Sequence, residues 1–258
     1  MLCSGVHTPR RTVSCVPICL LIRHGRTTAN ATGTLAGWTP GVGLDDTGRE
    51  QAGFLAQRLR EVPVVRVVSS PLQRCLETAE ALVEAVEGLT FDIDEALGEC
   101  RYGAWTGGVL RDLAKEPLWR TVQDQPSAAR FPDGADFPGE SISAMQHRAV
   151  QAVRSVDTQV LRAHGPDAIW AMVSHGDVIK AILADAAGAH LDHFQRIVVD
   201  PASLSAVRYT ESRPFVIRVN DAGVDLRALV PPPREADGQA ADACAGDAVV
   251  GGGAGAAV

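Results

Sequence analysis

An α/β fold, a mostly parallel sheet with helices on both faces in three layers, is what this chain predicts, and three observations carry that expectation. Short apolar, β-branched runs at 18–22, 64–68 and 168–173 have the length and composition of strands buried on both sides. Segments with apolar residues at helical spacing lie between them, and strands alternating with helices imply parallel neighbours. Two final runs, 203–209 and 214–219, are separated only by Thr210-Glu211-Ser212-Arg213 and read as an antiparallel pair.

Taken in order, residues 1–17 carry Arg10 and Arg11 with no acid and read as a flexible N-terminal extension. The domain proper is expected over 18–230, long enough to bury one substantial core. After the 18–22 strand, Thr47-Gly48-Arg49-Glu50 has the form of a capping box, and apolar positions 52, 55, 56 and 59 follow at helical spacing. Behind 64–68, Ser70-Pro71 reads as a cap and first-turn proline opening a helix to about Val86. Residues 101–140 are rich in Gly, Pro and Trp, irregular, and too long for a plain connection. Ser141 or Ser143 then caps a long helix ending near His164-Gly165, and a further helix spans 176–187. Residues 231–258 open with Pro231-Pro232-Pro233 and pass into Ala and Gly, the composition of a disordered tail. Their glycine run reads as flexible polymer and not as a phosphate loop, because no strand precedes it, no helix follows, and it has no Lys.

The chain has 24 basic and 31 acidic residues, a formal net charge of −7. That balance argues against a nucleic-acid or membrane-surface partner, since both need clustered positive charge. A small anionic ligand reads only the local field and stays admissible. No pair among the six cysteines has zinc spacing, no Asp/Glu/His cluster has ligand spacing, and no metal or other cofactor is expected. The apolar stretch 13–22 runs straight into Arg23-His24-Gly25 without a cleavage site or spanning length, so a cytoplasmic protein with free thiols is the expectation. Oligomeric state is left open.

Ligand sites in open α/β sheets lie beyond the carboxyl ends of the strands. Those ends here are Arg23-His24-Gly25, Ser69-Ser70 leading to Arg74, and Ser174-His175-Gly176. Each delivers a cationic or imidazole side chain, and Gly25 and Gly176 let backbone N–H groups approach an anion closely. Arginines supply bidentate donors to phosphoryl oxygens, so a pocket built from these ends would suit a phosphoryl group.

The segment Arg23-His24-Gly25-Arg26-Thr27-Thr28-Ala29-Asn30 resembles the first signature of the histidine phosphatase superfamily, in its phosphoglycerate mutase-like branch. Ser69 to Ala79 is similar to the second segment, Leu97-Gly98-Glu99 with Tyr102 to Gly107 to the third, Pro138-Gly139-Glu140-Ser141 to a further short motif, and Val173-Ser174-His175-Gly176 to the last. The likeness covers about 18–220 and extends to an actinobacterial subgroup of phosphomutases or phosphatases. It implies a phosphoglycerate mutase-like fold and a metal-independent enzyme acting on a small phosphorylated substrate. His24 would be the nucleophile that becomes phosphohistidine. Arg23, Arg74 and His175 would bind the phosphoryl oxygens, Asn30 and Thr27 would add polar contacts, and Glu99 would protonate the leaving oxygen, with Glu140 the competing carboxylate. Cys100 is read as a buried thiol, and Trp38, Trp105 and Trp119 as core or as pocket mouth. Phosphomonoester hydrolysis is favoured over phosphoglycerate mutase-type transfer, because the segment following Tyr102-Gly103 offers only Arg111, Lys115 and Arg120 up to residue 120 and no adjacent basic pair for a second anionic group. A catalytically silent phosphate-binding module is the remaining alternative.

Overall fold

The computed structural model describes residues 16–223 and 248–254. All but two residues of the expected N-terminal extension, and 231–247 and 255–258 of the expected tail, lie outside the described residues. Six strands, β1 (Ile18–Arg23), β2 (Val64–Ser69), β3 (Phe91–Ile93), β4 (Ile169–Ser174), β5 (Leu204–Tyr209) and β6 (Pro214–Asp221), form one sheet in the order β3-β2-β4-β1-β5-β6. The first four in that order are parallel; β5 and β6 are antiparallel additions. Seven helices are described: α1 (Thr28–Ala31), α2 (Asp46–Leu59), α3 (Gln73–Glu84), α4 (Leu110–Leu113), α5 (Pro117–Asp124), α6 (Ile142–His164) and α7 (Gly176–Ala186).

The continuous apolar run of β1 is explained by two cores. Cys19 and Leu21 point to one face, where they join Trp170 and Met172 with Met145, Ala149 and Val153 of α6 and Ile179 and Leu183 of α7. Leu20 and Ile22 point to the other, against Leu55 and Leu59 of α2 and Cys75, Ala79 and Leu82 of α3. A strand covered on both faces has no side that can be polar, which is why alternation is absent from its sequence.

Two local expectations need correction, and one strand went unmarked. The cap of α2 is Asp45, whose carboxylate accepts from the Gly48 N–H at 2.7 Å; Thr47 is already inside the helix and accepts from Arg26 instead. Helix α3 starts at Gln73, two residues later than the Ser70-Pro71 pattern implies; the Ser70 hydroxyl bonds His175 and accepts from the Leu72 N–H at 3.3 Å in the turn before it. Strand β3 has only three residues, of which two are exposed, so no apolar run marks it. Residues 101–140 hold α4 and α5, are closed on themselves by bridges Tyr102–Gly139 and Arg130–Ser141, and are tied to the body by bridge Thr34–Val109. Gly103 sits there at φ +53°, where an added Cβ would lie 1.9 Å from the Pro132 carbonyl oxygen.

Candidate active site

Parallel pairing of β1 with β4 sets Arg23 opposite Ser174, so the chain delivers His24 and His175 side by side at the carboxyl ends. Their rings are 5.2 Å apart, edge to face. Neighbouring β2 ends at Ser69, and the first turn of α3 brings in Arg74. A 3-10 turn at Glu95–Leu97 carries the chain to Glu99. All five side chains predicted to do chemistry are buried, and His24, Arg74 and Glu99 line one cavity together with Thr27, Asn30, Gly37 and Tyr102.

The His24 Nδ1–H donates to the Gly25 carbonyl at 2.7 Å, which leaves the lone pair on Nε2; that atom accepts from Arg74 Nε at 3.3 Å. Burial, then the guanidinium groups of Arg74 and Arg23, hold the His24 pKa well below its ordinary value, so the ring is neutral at physiological pH. His175 shares a 2.7 Å hydrogen bond between Nε2 and the Ser70 hydroxyl, and burial with Arg74 likewise depresses its pKa. Arg74 is anchored by a 3.0 Å bond from its Nη2 to the Gly37 carbonyl. Burial lowers the Arg23 pKa to about 10, which leaves it charged. Its Nε is buried without a hydrogen-bond partner.

Glu99 stands 3.9 Å from His175 Nδ1 and accepts from the Cys100 N–H at 2.9 Å. Burial, followed by the charge of Asp177, pushes its pKa up to about 7. Glu140 is occupied elsewhere: its carboxylate accepts from Arg148 at 2.6 and 3.1 Å and from the Arg101 N–H at 2.8 Å. The same Arg148 donates to the carbonyls of Ala96, Gly98 and Glu99, and Trp38 Nε1 donates to that of Glu99 at 2.7 Å. Arg148 and Trp38 therefore hold the segment that carries Glu99. Trp105 and Trp119 stack in the core and do not reach the mouth, and burial pushes the Cys100 thiol pKa up.

Thr27 and Asn30 line the cavity but bond each other, the Thr27 hydroxyl and N–H both donating to Asn30 Oδ1 as the capping box of α1. The Gly25 N–H donates to the Thr78 hydroxyl, not into the cavity; what requires glycine there is the Gly48 carbonyl oxygen, 2.4 Å from where a Cβ would stand. Two buried residues escaped the sequence reading. Asp177 accepts from the Tyr102 hydroxyl at 2.8 Å and from Lys180 at 3.4 Å. Their signal was available: they are the charged residues at i, i+3 near the start of a helix that is otherwise almost wholly apolar. Among the described residues no group of three or more His, Cys, Asp or Glu could hold a metal ion, and no helix is long and apolar enough to cross a membrane.

A neutral imidazole whose Nε2 lone pair faces the cavity's arginine, two guanidinium groups and a carboxyl that retains its proton suit transfer of a phosphoryl group. Comparison with known proteins agrees with that chemistry. The "Probable phosphoglycerate mutase GpmB" of Yersinia pestis is 30% identical over 194 residues, 74% of this chain and 85% of that protein. The structure of Bacillus stearothermophilus YhfR matches with a TM-score of 0.70 at 26% identity, over 80% of this chain and 97% of that one. Phosphoserine phosphatase of Entamoeba histolytica in complex with 3-phosphoglyceric acid has the same fold, with a TM-score of 0.68 at 22% identity over 80% of this chain and 97% of that one. Residues 19–222 match the histidine phosphatase superfamily (branch 1), and the chain belongs to that family.

Proposed function

We propose that this protein hydrolyses a small phosphomonoester through a phosphohistidine intermediate on His24. The observation that carries the reading is the neutral His24 ring, its Nε2 lone pair beside Arg74 and its pKa depressed by both arginines. Nε2 attacks phosphorus, the ester P–O bond breaks, and Glu99 gives its proton to the departing oxygen. Water then attacks the phosphohistidine, Glu99 takes the proton back, and phosphate leaves with His24 regenerated. Arg23, Arg74 and His175 hold the phosphoryl oxygens throughout, with Thr27 and Asn30 as flanking polar contacts. Positioning and fixed positive charge do most of the catalytic work, so no metal is required.

Mutase-type transfer is the second reading, favoured by the relationship to GpmB. The side chains that a second anionic group would want argue against it: Arg111, Lys115 and Arg120 are exposed and away from the cavity, Lys115 is paired with Asp112, and Arg120 with Asp124. Within the family we place the chain with an actinobacterial subgroup, on the resemblance of its motifs, and in the cytoplasm, because the buried Cys19, Cys75 and Cys100 are free thiols. Acid quench during turnover should trap an acid-labile, base-stable adduct on the wild type and none on His24→Ala, whose turnover should fall by several orders of magnitude. Wild-type activity in that variant would overturn the mechanism. Release of free phosphate from 3-phosphoglycerate, scored against isomer with and without a bisphosphate activator, separates the two readings.

A further inference from the structure

The glycine run expected to be featureless is seated, over 248–254, against the catalytic end of the sheet. The Gln123 side chain pairs with both backbone groups of Ala248, donating at 2.9 Å and accepting at 2.9 Å. Val250 is 1% exposed and joins the larger core. Gly251, Gly252 and Gly253 then turn the backbone at φ +75°, +81° and +57°, three consecutive left-handed residues that only glycine adopts readily. The Gly251 N–H donates to Asp177 at 3.0 Å, and Lys180 donates to the Val249 carbonyl at 3.4 Å. Arg23 completes the contact. Its Nη1 donates to Gly252 O at 2.6 Å, and its Nη2 to Gly253 O at 2.6 Å and Gly251 O at 3.3 Å.

Three carbonyl oxygens of the segment, beside the Val199 carbonyl that Nη1 also holds at 2.8 Å, take up guanidinium donors that a phosphoryl group would otherwise engage. Gly176 fits the same contact: a Cβ on it would come within 2.9 Å of the Gly251 oxygen. With the segment in place, the cavity beside His24 measures about 20 Å³, room for about one water molecule and too little for a phosphomonoester.

We propose that residues 248–254 are an autoinhibitory strap, bound in a peptide site built from Arg23, Gln123, Asp177 and Lys180, that competes with the substrate phosphoryl group for Arg23. The inference rests on the phosphatase reading, since it takes Arg23 as a phosphoryl ligand. Lys180 thereby acquires a purpose that the reaction itself does not give it, and Asp177 a second one beside raising the Glu99 pKa: both hold peptide backbone. Substrate binds only when the strap is out, so apparent affinity is reduced by the fraction of molecules in which it is out.

The test compares three proteins: the full chain, a chain ending at Asp247, and the full chain with Val250→Asp, which unseats the strap without shortening it. Hydrolysis of p-nitrophenyl phosphate and inhibition by orthovanadate are measured on each, with hydrogen exchange at 249–253 of the full chain. Both altered proteins should bind orthovanadate about tenfold tighter and show a correspondingly lower KM at unchanged kcat, as for a strap that is out in roughly a tenth of molecules. Orthovanadate should accelerate exchange at the Gly251 amide of the full chain. Hydrolysis with unchanged or weaker orthovanadate affinity in both altered proteins overturns the strap and leaves the phosphatase reading standing, as does a loss of kcat on truncation, which would make the segment part of the working site. Failure of all three proteins to hydrolyse the ester or bind orthovanadate overturns the phosphatase reading and the competition with it.

Discussion

A carboxyl group that keeps its proton to about pH 7 can act as an acid where an ordinary glutamate is already ionised. An alkoxide cannot leave unprotonated, whereas p-nitrophenolate can. Glu99→Gln should therefore slow alkyl phosphates by about 10²–10⁴-fold and the aryl ester far less. Glu140→Gln should not distinguish the two esters, because Glu140 is spent on Arg148; the reverse pattern would transfer the acid role. The same assignment sets a pH dependence. As pH rises through about 7, Glu99 loses its proton and hydrolysis of alkyl esters by the wild type should fall. The residual rate of Glu99→Gln, measured over the same range, should lack that limb. At this scale the motifs carried most of the site, because each catalytic side chain leaves a strand end or a first helical turn. Arg148 and Thr78 were invisible, since their roles are bonds to backbone groups about fifty residues away that no short pattern encodes.

Elements were legible wherever burial wrote a period into the chain. The positions 52, 55, 56 and 59 all face the core in α2, and α6 ends at Gly165 as the glycine signals. Caps were less legible, because Asp45, Thr47 and Ser70 are all plausible partners for an N–H and only the fold decides which is free to serve. Segment 95–101 shows what an irregular element depends on. Leu97 and Cys100 seat it in the larger core, while its backbone is held by Arg148, whose guanidinium bonds three of its carbonyls. Arg148→Ala should cost about 1.5–3 kcal/mol per lost charged hydrogen bond that finds no replacement. Urea titration should show the lower midpoint, and alkyl ester hydrolysis should suffer more than aryl because Glu99 is displaced. Equal loss on both esters would mean that Arg148 supports the fold without positioning the acid.

For the whole molecule, site and stability are coupled through protons. His24 and His175 stay neutral in the native state while the unfolded chain protonates them below about pH 6.5, so the unfolded state binds more protons there and stability rises with pH. Glu99 acts in the opposite sense. Between about 4.5 and 7 its proton is kept in the folded state and lost in the unfolded one, so its contribution falls as pH rises. Denaturant unfolding of Glu99→Gln across that window should therefore gain stability with pH more steeply than the wild type. The topology was foreseeable from alternation except at β3, which is too short to carry a pattern, and in the strap, where composition alone reads as polymer. A glycine run has no side chains to announce that its carbonyls have a partner.

The pairing of Arg23 with Ser174 has a further consequence, for the ribosome. Strand β1 is made before the other strands of its sheet, and β4, its parallel neighbour, follows about 150 residues later, a delay of roughly 8–30 s at ~5–20 residues per second. Throughout that interval an apolar strand has neither its central partner nor half of its covering helices, because α6 and α7 are also still to come. Slow codons or chaperone contact before residue 170 would thus act on yield, whereas substitutions after residue 176 would act on a sheet already closing.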